Sequence, residues 1–201
     1  MQNGVKREIP AEVAGIGPLK PYSNQLVGGQ AKNTERLKDR QLNPAKNKII
    51  GSLEEVIRAT GLRDGMTISF HHHFRNGDFV INMVMDVIAS MGIKDLVLAP
   101  SSLIDIHAPL VQHIKNGVVR RIETSGLRGE LANEISNGLM DIPVTINSHG
   151  GRARAIASGE LPIDVAFLGV PSCDPYGNAN GYSRGKIAAS ACGSLGYAKV
   201  D

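Results

Sequence analysis

Residues 65–78 have the sequence Gly65-Met-Thr-Ile-Ser-Phe-His-His-His-Phe-Arg-Asn-Gly-Asp78. The apolar run at 66–70 is typical of a buried strand, and the residues that follow Asp78 carry apolar side chains at helical spacing. Three histidines, an arginine, an asparagine and a glycine lie between the predicted strand and the predicted helix. Since open α/β sheets bind ligands where strands end and helices begin, this loop is the first candidate site.

The alternation of strand and helix continues along the chain. Ser52-Leu-Glu-Glu55 predicts a helix that begins with a capping box, and Gly61 predicts its end. Further strands are predicted at 95–100, 118–123, 144–147 and 164–170, each separated from the next by a helical segment. Such alternation implies right-handed crossovers and a parallel sheet. We therefore predict an α/β domain over 48–201, an open, mainly parallel sheet with helices on both faces.

An extended N-terminal arm is predicted before this domain, over residues 1–47. These residues show no sustained period. Prolines interrupt them at Pro10, Pro18, Pro21 and Pro44. Such an arm is disordered alone or lies over a neighbouring chain. At the other end, the sequence stops within an element, so we expect the chain to be cut there.

The composition excludes several classes of protein. With 22 basic and 19 acidic residues, the net charge of +3 is too small to argue for nucleic acid or a membrane surface as partner. Aromatic residues make up only 4% of the chain, which disfavours a base-stacking surface. Only two cysteines occur, so no disulfide framework is expected and a reduced, cytoplasmic setting fits. No apolar run approaches the length needed to span a membrane.

The histidine loop has two alternatives to substrate binding. His71 and His73 would share one face of a continued strand and could chelate a metal. Nothing in the spacing of Asp105, His107 or His149 completes a ligand set, so no metal site is predicted. The imidazoles could instead cap carbonyl groups at the end of the strand.

A polar site for an anionic or carbonyl substrate is the favoured use of the same loop. Arg75 suits a carboxylate, because a guanidinium can bind it through two parallel hydrogen bonds. Asn76 and the backbone N–H groups near Gly77 suit an oxyanion.

A second candidate site is the sequence Ser148-His-Gly-Gly-Arg-Ala-Arg154, at another predicted junction of strand and helix. Gly150 and Gly151 allow close approach of the backbone, and the helix N-terminus would favour an anion. Arg152 and Arg154 could bind phosphate or carboxylate. The alternative, weighted about equally, is a solvated helix start with two surface arginines.

Two further groups of residues are weaker candidates. Ser101, Ser102, Asp105 and His107 suggest a serine nucleophile only faintly, because the Gly-x-Ser-x-Gly elbow is missing. Glu130 could be a catalytic carboxylate, but a glutamate in the first turn of a helix more often complements the helix dipole.

Six segments together carry a resemblance to a known family: Ile16-Gly-Pro-Leu-Lys-Pro-Tyr22, Ser69-Phe-His-His-His-Phe-Arg-Asn-Gly-Asp78, Ser125-Gly-Leu-Arg-Gly-Glu130, Ser148-His-Gly-Gly-Arg152, Asp174-Pro-Tyr-Gly-Asn-Ala-Asn-Gly181 and Ala191-Cys-Gly-Ser-Leu-Gly-Tyr197. In these segments the chain resembles the alpha chains of citrate lyase, and essentially all 201 residues fit. The resemblance implies a CoA-transferase-like fold, of which this chain would be the N-terminal half.

The resemblance also implies an activity and its partners. Family members transfer the acyl carrier protein thioester from acetate to citrate through a mixed anhydride, as part of citrate fermentation. The implied substrates are citrate and the acetyl thioester. The implied partners are the lyase beta subunit and the acyl carrier protein (gamma) subunit, in an oligomeric complex. No cofactor would be bound directly, because the CoA-like prosthetic group is carried by the acyl carrier protein.

The placement at strand ends and this activity together suggest roles for eight residues. His71, His73, Asn76 and Gly77 are expected to line the acyl-transfer pocket. The expected substrate-binding residues are Arg75, His149, Gly150 and Arg152. Two alternatives stay open: a generic CoA-transferase that acts on another carboxylate through a glutamyl thioester, and a non-catalytic assembly half.

Overall fold

The structure is a computed structural model that describes residues 1–2, 6–19, 47–71, 79–180, 182–183 and 186–187. The elements follow in the order β1 (Glu12–Val13), β2 (Gly17–Pro18), α1 (Leu53–Thr60), β3 (Thr67–His71), α2 (Val80–Ser90), β4 (Leu96–Pro100), a 3₁₀ turn (Asp105–His107), α3 (Leu110–Lys115), β5 (Val119–Thr124), α4 (Gly129–Ser136), β6 (Thr145–Ile146), α5 (His149–Ser158), β7 (Val165–Leu168), β8 (Ser172–Cys173), β9 (Ala179–Asn180), β10 (Tyr182–Ser183) and β11 (Lys186–Ile187).

Five strands form one parallel sheet in the order β6-β5-β4-β3-β7. From β3 to β6 the chain adds strands in one direction, and β7 then returns to the other side of β3. The predicted parallel sheet is therefore confirmed. The reversal between β3 and β7 is the topological switch point, where sheets of this kind bind ligands. β3 ends at His71 beside this point, and residues 72–78 lie outside the described residues.

Helices cover both faces of the sheet, as predicted, but unequally. The first face buries Phe70, Leu98 and Ile122 against residues of α1, α2, α3 and α4, and these strand residues are at most 1% exposed. On the second face, α5 packs Ala155 and Ile156 against Ala99 of β4 in a smaller cluster. Successive strand residues point to opposite faces, so the apolar residues in each core follow the two-residue period.

The ends of the first helix agree with the sequence signals. The hydroxyl of Ser52 accepts a hydrogen bond from the N–H of Glu55 at 3.2 Å, and Gly61 ends α1 in the left-handed region with φ of 71°. The start of α2 has no comparable cap. Phe79 occupies the capping position without a side-chain hydrogen bond to the helix.

The described part of the predicted arm contains a short hairpin. β1 and β2 pair antiparallel, with Val13 opposite Gly17. Their turn lies against the rest of the chain, because a Cβ added to Gly15 would lie 2.9 Å from Cγ1 of Ile142. Residues 20–46 lie outside the described residues, and the division of the chain at 47 stays a prediction.

The Gly/Asn-rich segment after β7 forms a hairpin. β8 and β9 pair antiparallel, and Cys173 lies opposite Ala179. The Asp174 carboxylate closes the turn by accepting hydrogen bonds from the N–H groups of Tyr176 and Asn178 at 2.9 and 3.0 Å. Among the helices described, none is long and apolar enough to cross a membrane.

Candidate functional site

The residues that directly follow β4, β5 and β6 lie side by side at the carboxyl edge of the sheet. The N–H of Ser101 donates to the carbonyl of Phe70 at 2.9 Å, and the N–H of Ser125 donates to the carbonyl of Ser101 at 3.1 Å. Asn147 continues the row by donating to the carbonyl of Thr124 at 2.8 Å. The hydrogen-bond ladder therefore extends past the strands and gives the edge a fixed backbone.

The loops after β4 and β5 are joined beyond this row. Leu103 donates its N–H to the carbonyl of Gly126 at 2.8 Å and forms a parallel bridge with Leu127. Gly126 lies against Ser102, since an added Cβ would lie 3.1 Å from the Ser102 hydroxyl oxygen. The Ser125 hydroxyl oxygen is buried without a hydrogen-bond partner among the described residues. A hydroxyl in this position can donate to a carboxylate or an oxyanion.

His71 is the last residue of β3 and is 5% exposed. It lies opposite Leu168 of β7 at the switch point, on the same sheet face as Ser69, two residues earlier. The other predicted residues of this loop, His73, Arg75, Asn76 and Gly77, lie outside the described residues. The role of the loop in acyl transfer therefore stays a prediction.

The metal alternative is not tested, because His73 lies outside the described residues, and the nucleophile alternative receives no support from the residues described. Among them, no three His, Cys, Asp or Glu side chains are grouped as metal ligands. His107 is fully buried in the 3₁₀ turn, where its Nδ1 accepts a hydrogen bond from the N–H of Ile104 at 3.1 Å. Glu130 is exposed in the first turn of α4, where its negative charge complements the positive end of the helix dipole.

The second candidate site lies at the start of α5. Ser148 caps the helix by accepting a hydrogen bond from the N–H of Gly151 at 3.0 Å. His149 and Gly150 are the first two residues of the helix and are exposed. Helix N-termini attract anions, so both residues are placed where a substrate carboxylate could bind. Their assignment to substrate binding remains a prediction.

The two arginines of this segment have different surroundings. Arg154 is exposed and donates to both carboxylate oxygens of Glu160, at 2.5 and 2.8 Å. These hydrogen bonds, with the attraction of opposite charges, raise the pKa of Arg154 and lower the pKa of Glu160. The alternative of two surface arginines is therefore right for Arg154 and wrong for Arg152, which is buried.

Arg152 is buried between α5 and the sheet, with 1% of its surface exposed. Its Nη2 donates to the hydroxyl of Ser69 at 2.7 Å and to the carbonyl of Ala99 at 2.9 Å. Sequence reasoning missed Ser69, although a serine within the apolar run 66–70 is a signal that a polar partner is needed. The predicted role of Arg152 in anion binding is not tested by this arrangement, and its location suggests a different one.

The comparisons with known proteins all lead to one family. The family described as "Citrate lyase, alpha subunit (CitF)" matches residues 46–201. The citrate lyase alpha chain of Escherichia coli is 63% identical over 172 residues, covering 86% of this chain and 32% of its own length. The alpha chain of Haemophilus influenzae is 66% identical over 154 residues, covering 77% of this chain and 30% of its own length.

A solved structure has the same fold. A crystal structure from Streptococcus mutans, described as an alpha subunit of citrate lyase in complex with citrate, superposes with a TM-score of 0.74 at 51% identity. The match covers 92% of this chain and 36% of that one. The chain thus spans less than a third of the length of the curated relatives it matches.

Proposed function

Because this chain belongs to the citrate lyase alpha subunit family, we propose that it forms part of a subunit that transfers an acyl carrier protein thioester from acetate to citrate. The observation that carries the proposal is the family match over residues 46–201. The citrate bound to the Streptococcus mutans relative supports citrate as the acceptor. We assign the activity to the whole subunit, of which the described sheet supplies one side of the site.

The proposed reaction is an acyl exchange that needs neither an oxidant nor a metal-centred step. A citrate carboxylate oxygen attacks the carbonyl carbon of the acetyl thioester and forms a tetrahedral oxyanion. The C–S bond then breaks, which leaves a mixed anhydride and a thiolate. The thiolate attacks the citryl carbonyl of the anhydride and expels acetate. The products are the citryl thioester of the carrier protein and free acetate.

This chemistry needs donors for an oxyanion and cations for the remaining carboxylates of citrate. We assign the first role to Asn76 and the N–H of Gly77, and we assign His73 and His71, of which His71 ends β3 at the switch point, to the lining of the same pocket. We assign carboxylate binding to Arg75 and to the exposed helix start at 149–150.

The partners follow from the same proposal. The acyl carrier protein would present its CoA-like prosthetic group to this chain, so no cofactor needs to be bound permanently. The beta subunit would then cleave the citryl thioester. We place this complex in the cytoplasm, because a chain with only two cysteines suits a reducing compartment.

The test uses the intact alpha subunit that contains this sequence, in complex with its partners. Acetyl-carrier protein is mixed with isotope-labelled citrate, and citryl thioester is followed by mass spectrometry. Substitution Arg75→Ala should lower kcat/KM for citrate about 10- to 100-fold, as expected when a charge-assisted hydrogen bond is lost. The matched control is Arg120→Ala, because Arg120 is exposed at the start of β5, where it pairs with Asp95 at 3.2 Å.

We expect Arg120→Ala to change kcat/KM less than about twofold, since an exposed ion pair contributes little. Equal effects of the two substitutions would remove Arg75 from the site. Failure of the intact subunit to form citryl thioester would refute the proposed transfer. A glutamyl thioester trapped on the protein during turnover would instead support the generic CoA-transferase.

A further inference from the structure

Arg152 is the one arginine of α5 that faces the sheet. It is among the largest fully buried side chains of the described residues, whereas Arg154, two residues later, pairs with Glu160 at the surface. Burying a guanidinium is costly, and an apolar side chain of similar size would usually pack there at lower cost. A buried arginine at this position therefore calls for a reason beyond stability.

The hydrogen bonds of Arg152 join three elements. Its Nη2 lies within 2.7 Å of the Ser69 hydroxyl on β3 and within 2.9 Å of the Ala99 carbonyl on β4. Ser69 and Ala99 are direct register partners in the parallel pair. The Nη2 atom of Arg152 on α5 is thus hydrogen-bonded to a pair of register partners on two adjacent strands.

Ser69 and Ala99 lie just before the carboxyl ends of their strands. Ser69 precedes His71 by two residues on the same face of β3, and Ala99 precedes Ser101 by two residues on β4. Arg152 itself is on the first turns of α5, close after His149 and Gly150. Any shift of α5 against the sheet would therefore move the predicted substrate-binding helix start relative to the strand ends.

We propose that Arg152 is a positioning residue, which locks the start of α5 to the ends of β3 and β4 and so fixes the geometry of the acyl-transfer site. This inference rests on the proposed function and replaces direct contact between Arg152 and citrate. A planar guanidinium can bridge two acceptors in a fixed geometry, whereas the lysine ammonium is a point charge on a flexible stem.

The test compares Arg152→Lys with the matched control Arg154→Lys in the intact subunit. Misplacement of reacting groups by about 1 Å can lower a rate about 100-fold. We therefore expect Arg152→Lys to lower kcat about 10- to 100-fold, with the Kd of citrate changed less than about threefold, because the carboxylate ligands remain. Arg154→Lys should leave both values within about twofold.

Ser69→Ala supplies a second variant that keeps the buried charge. Ser69→Ala should also lower kcat. The double variant with Arg152→Lys should be no slower than Arg152→Lys alone, because both substitutions break the same contact between Arg152 and Ser69. A citrate Kd raised as strongly as kcat is lowered would overturn the proposal in favour of direct binding. An unchanged kcat in folded Arg152→Lys, or additive effects in the double variant, would overturn it as well.

A separate readout distinguishes failure of this inference from failure of the proposed function. Hydrogen exchange at the amides of Ser101 and Ser125, which form the row along the carboxyl edge, needs no turnover. If the wild-type subunit makes no citryl thioester, the transfer reaction is wrong and exchange alone tests the positioning role. Faster exchange at both amides in Arg152→Lys but not in Arg154→Lys supports that role, and unchanged exchange refutes it.

Discussion

Gly129 begins α4 with φ of +72°, a conformation that residues with a Cβ rarely adopt. The space beside it is also filled. An added Cβ would overlap the Asp105 carboxylate oxygen Oδ1 and lie 2.9 Å from the Asp105 Cα, which is backbone and cannot move cheaply. We expect Gly129→Ala to lower the free energy of unfolding by more than about 2 kcal/mol, measured by urea denaturation.

Gly159 is the matched control for this prediction. It has φ of +78° at the end of α5, and nothing lies within 4 Å of its added Cβ. Gly159→Ala should therefore cost only the backbone strain, about 1 kcal/mol. Equal losses for the two variants would show that Asp105 yields and that the close approach is unimportant.

At the scale of elements, the hairpin of β8 and β9 depends on one carboxylate. Asp174 accepts a hydrogen bond from the side chain of Asn178 at 2.8 Å and further bonds from backbone N–H groups. The Asn178 side chain contributes most to lowering the pKa of Asp174 below the ordinary value for aspartate. Since the folded-state pKa is the lower one, the stabilisation is complete above the ordinary value and is lost as the pH falls through the folded-state pKa.

We therefore expect the amide NMR signals of Tyr176 and Asn178 to titrate together in acid, with a midpoint below the ordinary value for aspartate. Asp174→Asn should abolish this titration while leaving the signals of α2 unchanged. A midpoint at or above the ordinary value would contradict the hydrogen bonds to Asp174.

Element ends were predictable where the signal is local. The Ser52 cap and the Gly61 terminus of α1 depend on residues within one turn, and both are confirmed. β6 was predicted over 144–147 but spans only Thr145–Ile146. It lies at the edge of the sheet, and β5 is its one neighbour among the strands described, so its length is set by pairing rather than by its own apolar run.

At the scale of the whole molecule, the first face of the sheet carries the larger core. Ile122 on β5 is fully buried there, whereas Ile146 on the adjacent strand β6 is 58% exposed. We expect Ile122→Ala to lower the free energy of unfolding by about 2–5 kcal/mol. Ile146→Ala should change it by less than about 0.5 kcal/mol. Similar losses for both in urea denaturation would mean that Ile146 is buried in solution.

The sequence predicts the alternating architecture because hydrophobic period and turn residues act within short windows. The candidate site is less predictable, because its geometry depends on distant residues. Arg152 and Ser69 are 83 positions apart, and nothing near Arg152 in the sequence indicates that it is buried. A charged residue at a helix start suggests solvent, and only tertiary packing reverses that expectation.

The position of β7 beside β3 has a consequence for synthesis on the ribosome. β3 receives its second neighbour only from a strand far downstream, and the bond from the N–H of Thr67 to Asp164 spans 97 residues. While the intervening residues are being translated, one side of β3 has open hydrogen-bonding groups, which are a template for pairing with other chains. The nascent protein is thus open to pairing with other chains at the same strand edge that later forms the switch point.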